Sequence, residues 1–362
     1  MIFNLTEYLN KSIEGLVKDA IKTTLRNPKG TAFFLKHMGC VATSNRIREE
    51  YEKQGRHIPP FLIASITNSC NLFCKGCYAR ENKLCGEGNI QNQLSGKRWE
   101  EIFHEAESIG ISFILLAGGE PLMRSDILAC AGKISGIIFP VFTNGTLIGK
   151  DYIDLFDNHR NLIPIISLEG NKEQTDKRRG TGTYDLLRNI MNEMHTKHIL
   201  YGTSITVTTE NISTVTNEEY IRGLYKKGCK IIFYVEYVPA LKNTEELAPS
   251  DREREYLETR VNDFRKVMNN VIFISFPGDE KATGGCLAAG RGFFHINPEG
   301  KAEPCPFSPY SDTNVKDLSL LEALDSPLFQ KLNNSGLLLQ EHTGGCVLFS
   351  REEQVSDMLK NS

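Results

Sequence analysis

The sequence predicts an α/β fold built on a parallel sheet, and three observations lead there. Short apolar, β-rich runs recur between residues 61 and 238. Segments of helical period separate them. The runs are near-continuously apolar, as strands covered on both faces are. Strands alternating with helices imply right-handed crossovers and a parallel sheet.

The elements follow in order. Residues 1–58 read as a helical segment, ending in the charged RIREEYEKQGRH and a Pro59-Pro60 break. Within it Leu5, Leu9, Ile13, Leu16, Ile21 and Leu25 recur at roughly helical spacing. A docked amphipathic helix fits that pattern; for a membrane-surface helix, Asp and Glu dilute the basic face. The core is expected over residues 59–239. Its strands read as FLIASIT (61–67), ISFILLA (111–117), GIIFPVFT (136–143), LIPIISL (162–168), LYGTSITVT (200–208) and KIIFYVEYV (230–238). Helical patterns fall at 98–109, 125–135 (opened by a Ser-Asp cap), 151–159, 184–198 and 217–228. The alternation stops near Pro239, and residues 240–362 read as a small α+β domain. It contains a charged helix over 248–270, a strand at 271–276 and a hairpin turning at Asn297-Pro298-Glu299-Gly300.

Composition narrows the function classes. Forty-two basic against forty-five acidic side chains give a net charge of −3 over 362 residues, which argues against a nucleic-acid partner. No apolar run reaches membrane-spanning length, so no transmembrane segment is expected. The amino terminus has no apolar signal region, which points to the cytoplasm. There, clustered cysteines are more often metal ligands or catalytic groups than disulfides.

Cys70, Cys74 and Cys77 lie within NSCNLFCKGCYAREN, directly after the first strand. Three thiolates on one loop can hold three irons of a 4Fe–4S cube and leave the fourth iron open to another ligand. Zinc or a three-iron site is the competing reading. At the end of strand two, LLAGGEPL places Gly118 and Gly119 where backbone can approach a ligand, with Glu120 beside them; alone this could be a tight turn. FTNG closes strand three with Asn144, a pocket or turn residue. ISLEG closes strand four with Ser167 and Glu169, the latter an acid in an apolar run.

This C-x3-C-x2-C loop, with GGEP and ISLEG in register over about residues 60–238, resembles the radical S-adenosylmethionine (SAM) superfamily. The resemblance implies a partial, TIM-like (β/α)6 barrel. It implies a 4Fe–4S cluster on Cys70, Cys74 and Cys77 whose open iron takes SAM, and reductive cleavage of SAM to a 5′-deoxyadenosyl radical. Glu120, with Gly118 and Gly119, would meet the SAM ammonium; Ser167, Glu169 and Asn144 would line the cofactor pocket. Arg179, or alternatively Arg178, would meet the carboxylate with Ser204. Relatives often carry an aromatic before the third cysteine; here it is Gly76, which would keep the largely backbone adenine contact while the ring contact would pass to Tyr78.

Cys286, Cys305 and Cys346 form a second group around the hairpin and GGC. The segment resembles the twitch or SPASM extension of radical SAM enzymes, which implies one auxiliary 4Fe–4S cluster. Its fourth ligand is open between Cys85, His342 and substrate, and structural thiols or zinc remain the alternative. Cys130 and Cys229 read as core, while Cys40 has no assigned role.

The resemblance implies a peptide or protein maturase, oxidising or cross-linking its substrate and fed by an external donor such as a flavodoxin or ferredoxin. A tailoring enzyme for a small molecule such as a tetrapyrrole is the alternative, because residues 1–58 look too short and helical for a winged-helix peptide-binding domain. A non-catalytic iron–sulfur electron carrier would need the cysteines but not Glu120, Glu169 and Arg179.

Overall fold

The computed structural model describes residues 4–25, 27–81, 85, 92–339 and 345–360. Two helices open the chain, α1 (Leu5–Thr24) and α2 (Pro28–Lys53), capped by Asn4 and Asn27. The alternating core follows: β1 (Phe61–Thr67), α3 (Tyr78–Glu81), α4 (Gly96–Ser108), β2 (Phe113–Gly118), α5 (Ser125–Lys133), β3 (Phe139–Thr143), α6 (Lys150–Asn158) and β4 (Leu162–Ser167). Next come α7 (Lys172–Arg179), α8 (Thr183–Thr196), β5 (Gly202–Val207), α9 (Ile212–Val215), α10 (Glu218–Lys226) and β6 (Ile231–Glu236). After these lie α11 (Asp251–Val267), β7 (Ile272–Phe276), β8 (His295–Ile296), β9 (Lys301–Glu303) and β10 (Thr313–Asn314). The chain closes with α12 (Leu320–Leu324), α13 (Pro327–Asn334), α14 (Val347–Ser350) and α15 (Glu352–Lys360).

One sheet runs in the order β10-β9-β8-β1-β2-β3-β4-β5-β6-β7 and does not close on itself. Strands β1 to β7 are parallel throughout. The α/β class with a partial barrel is therefore observed. The sheet crosses the sequence boundary at residue 239. β7 pairs with β6 in parallel, and β8 pairs with β1 in parallel at the other edge before reversing into β9. The expected reversal is present, with Asn297 Oδ1 accepting from the Glu299 and Lys301 N–H groups at 3.0 Å each.

The amino-terminal helices close the amino end of the strands. Ile13, Val17, Phe34 and Val41 pack against Phe113, Ile163, Ile231 and Ile272, residues at the strand starts. Each such buried side chain contributes about 1.5–3 kcal/mol. Arg48 ties them down by donating to Asn10 Oδ1 (2.8 and 3.1 Å), Ser112 Oγ (3.1 Å) and the Gly110 carbonyl. The apolar stripe of α1 is thus a docked face, leaving the carboxyl end of the sheet free for chemistry. No helix among the described residues is long and apolar enough to cross a membrane.

Candidate active site and second cysteine centre

The chain leaves β1 at Thr67 and carries Cys70, Cys74 and Cys77 into α3. Two close approaches shape this loop. Gly118 has φ +124°, and a Cβ there would sit 2.3 Å from the Thr67 carbonyl oxygen; one on Gly119 would sit 2.1 Å from that of Ser69. The Gly119 and Glu120 N–H groups donate to the Thr67 and Ser69 carbonyls at 2.7 and 2.8 Å. The glycines thus splice the end of β2 to the cysteine loop, which no side chain would permit.

All three cysteines are free and partly exposed. The Cys70 thiol is pulled down to about 6, first by a hydrogen bond with Cys85 and further by the Leu72 N–H, Arg80 and Asn144, against the opposing effect of burial. Burial pushes Cys74 up, opposed by the guanidinium of Arg179, whose Nη1 lies 3.8 Å from Cys74 Sγ. Asn144 Nδ2 lies 4.0 Å from Cys70 Sγ and donates to Asn71 Oδ1 at 2.9 Å. Soft donors with cationic and amide neighbours suit a thiolate-bound, negatively charged group. No three His, Cys, Asp or Glu among the described residues converge on a single ion. Thiolates of a cube each bind a different iron, so they need no common point. The residues fit a 4Fe–4S cluster.

Glu169 lies just past β4 and is buried. Its Oε1 accepts from Arg179 Nε (2.9 Å) and Nη2, and its Oε2 from the Thr206 N–H (3.2 Å). Arg178 Nε stands 3.6 Å from the same carboxylate. The structure places Arg179 between Glu169 and Cys74. Burial alone would weaken the Arg179 charge, but Glu169 and the thiols hold it above its ordinary range. Ser167 and Ser204 are partners across β4 and β5, both half-buried.

Two further residues of the sequence reading have partners within the protein. Glu120 is buried, accepting from Thr143 Oγ1 (2.6 Å), the Asn144 N–H (2.7 Å) and the Leu122 N–H (3.1 Å). It knots the ends of β2 and β3 together. Burial pushes its carboxyl up to about 7 against those three donors. The Tyr78 ring centroid lies 4.8 Å from that of Phe307, toward the carboxyl-terminal segment. Gly76 gives the chain φ +64° there, and a Cβ on it would lie 2.6 Å from Tyr237 Oη.

The second group also assembles. Cys286 and Cys305 are buried and Cys346 partly so. Cys305 and Cys346 share a hydrogen bond that pulls the Cys346 thiol down, while burial pushes Cys286 and Cys305 up. The Cys85 thiol is hydrogen-bonded to that of Cys70. His342 lies outside the described residues. Cys229 is core, 3.8 Å from Thr203 Oγ1, whereas Cys130 is only partly buried on α5.

Sequence reasoning missed two acids here. Glu236 ends β6, buried, and accepts from Arg254 Nε (2.9 Å) and the Gly345 N–H (3.1 Å), so it ties the Cys346 segment to the barrel. The rule that singled out Glu169, an acid in an apolar run, applies equally to IIFYVE. Glu280 is buried beside Cys286, and only its spacing to that cysteine could have marked it.

An open parallel sheet with a three-thiol loop after its first strand defines an iron–sulfur class of α/β proteins. Residues 64–219 match the family model described as the Radical SAM superfamily, so the chain carries a radical SAM domain over that stretch. It is 27% identical to the Fe-coproporphyrin III synthase of Methanosarcina barkeri over 49% of this chain, but only 47% of that protein's length. It is 24% identical to the AdoMet-dependent heme synthase of the same organism, over 76% of this chain and 85% of that one. In fold it is similar to Streptococcus suis SuiB bound to precursor peptide SuiA, with TM-score 0.68 and 19% identity, covering 90% of this chain and 78% of that one.

Proposed function

We propose that this chain binds a 4Fe–4S cluster through Cys70, Cys74 and Cys77 and cleaves SAM reductively to take a hydrogen atom from a substrate. The observation that carries this is the three-thiol loop at the strand ends, flanked by Asn144 and by Arg179 paired to Glu169. The cluster and SAM, when bound, supply the 5′-deoxyadenosyl radical. The chain's own residues do the rest. Arg179 presents a cation for the SAM carboxylate, and Glu169 orients that cation and can turn an oxygen to the ribose. Ser167, Ser204 and Asn144 supply further polar contacts, while Gly118 and Gly119 bring backbone close. Cys286, Cys305 and Cys346 are assigned to one auxiliary 4Fe–4S cluster in a twitch- or SPASM-like segment over residues 240–362. An external flavodoxin- or ferredoxin-type donor in the cytosol would supply electrons.

A peptide or protein is the first substrate reading, supported by the fold shared with a protein described with its precursor peptide. A tetrapyrrole is the second, supported by the two synthase relatives. Anaerobic protein with dithionite and SAM should release 5′-deoxyadenosine, and the Cys70→Ala/Cys74→Ala/Cys77→Ala chain should release none. Equal release by that variant would remove the proposal. Iron coproporphyrin III, and separately a library of synthetic peptides, should distinguish the substrate classes by which of them accelerates the release.

A further inference from the structure

We infer that His295 is a positioning residue of the second cysteine group: it sets the register in which the hairpin of β8 and β9 docks on β1, and so the place of Cys305. The contacts form a continuous chain. His295 Nδ1 lies 2.7 Å from Glu303 Oε2, and its Nε2 lies 2.8 Å from Ser65 Oγ. Asn297 Nδ2 donates to the other carboxylate oxygen, Glu303 Oε1, at 2.7 Å. None of these four residues is more than 4% exposed. Ser65 belongs to β1, which leads into the first cysteine loop. Glu303 ends β9, two residues before Cys305. One side chain thus joins the strand that leads to one cysteine group to the strand that leads to the other.

The backbone by itself specifies this register weakly. β8 pairs with β1 at Ile63↔His295 and Ala64↔Ile296, and with β9 at His295↔Glu303 and Ile296↔Ala302. Two bonds accompany them, from the Phe61 N–H to the Gly292 carbonyl (3.2 Å) and from the Ile63 N–H to that of Phe294 (3.0 Å). A slip of one residue would turn His295 to the opposite face and move Cys305 by about 3.3 Å. It would also strand a carboxylate and a hydroxyl in the interior, a penalty that an apolar pair in their place would not impose. The buried polar contacts are therefore the part of this junction that selects one register. Cys286 follows the same strand. The Ala289 N–H, three residues past Cys286, donates to the Pro304 carbonyl at 3.1 Å, beside Cys305.

The first test needs no metal. In the full, metal-free chain, alkylation of each thiol by iodoacetamide is followed by mass spectrometry. His295→Leu should speed the labelling of Cys305 by about tenfold or more, while Cys229, buried against Thr203 of β5, keeps its rate. Ser65→Ala removes the link to β1 with almost no change of bulk and should give a smaller increase at the same thiol. The double variant His295→Leu/Ser65→Ala should label no faster than His295→Leu, because Ser65 acts through His295. Unchanged labelling of Cys305 in both single variants would overturn the inference. So would equal acceleration of Cys229, the mark of general loosening, or additive effects in the double variant. If His295→Leu does not fold, Ser65→Ala decides: faster labelling of Cys305 alone supports the inference and an unchanged rate overturns it. The role in the enzyme rests on the auxiliary-cluster reading above. After anaerobic reconstitution with ferrous iron and sulfide, His295→Leu should keep the iron of the first group and lose that of the second; full iron at both would count against His295. A wild-type chain with iron at the first group alone would instead remove the auxiliary cluster, and the labelling of Cys305 would still decide the role of His295.

Discussion

Glu169 is buried and the Arg179 side chain is only 10% exposed, and each is the other's main compensation. Removing one partner of such a pair leaves a stranded charge, at a cost of about 3–5 kcal/mol. Arg179→Ala should therefore lower the urea-melt stability of the cluster-free chain by that order. Arg178→Ala should cost much less, since its Nε stands off at 3.6 Å. Equal effects would mean that the two arginines share the charge. Glu120 carries a pH signature. Its carboxyl is held at about 7, against 4.5 for an ordinary glutamate. Between those values the unfolded chain has released a proton that the native chain keeps. Stability is then fully present below pH 4.5 and falls as pH rises toward 7, by about 3 kcal/mol in all. Glu120→Gln has no proton to release. Cluster-free wild type should lose more stability than Glu120→Gln between pH 5 and pH 7; parallel pH profiles would show that the three donors outweigh burial.

At the scale of elements, the strands were the most legible feature. FLIASIT is β1 to the residue, and the other five expected runs overlap β2 to β6. Apolar runs of that length have little choice once helices cover both faces. What could not be read was pairing: β8 contributes only His295 and Ile296, yet it extends the sheet beyond β1. Its attachment is polar and buried. His295 links Glu303 (Nδ1, 2.7 Å) to Ser65 (Nε2, 2.8 Å), a tertiary pairing of residues far apart in the chain. The cysteine loop was legible because three thiols in eight residues are chemically conspicuous. Its support was not, since close approach of Gly119 to Ser69 is a tertiary fact. Gly119→Ala should force these backbones apart. We expect less iron in the first centre of Gly119→Ala and intact iron in the second, read by Mössbauer spectroscopy. Full iron in the first centre would mean that the loop can shift without losing its ligands.

For the whole molecule, both cysteine groups border β1. The first follows β1, and the hairpin before Cys305 docks on that same strand. Tyr78, one residue after Cys77, meets Phe307, two residues after Cys305. The groups are close in space, with the Cys85 thiol hydrogen-bonded to Cys70 and Glu280 buried near Cys286. Their metal contents should be separable. Anaerobic reconstitution should give about eight irons per chain if each site holds four. Replacing Cys70, Cys74 and Cys77 by Ala should leave about half and abolish SAM cleavage. Replacing Cys286, Cys305 and Cys346 should also leave about half, but SAM cleavage should persist because Arg179, Glu169 and Asn144 are untouched. Product formation should fail in that second variant once a substrate is in hand, if the proposed auxiliary cluster takes part in the reaction. Iron counts by colorimetry, with deoxyadenosine release measured on the same samples, test both halves together. A second variant that keeps all its iron would show that these three thiols are structural. One that loses all its iron would show that the sites fold as a single unit through β1 and β8.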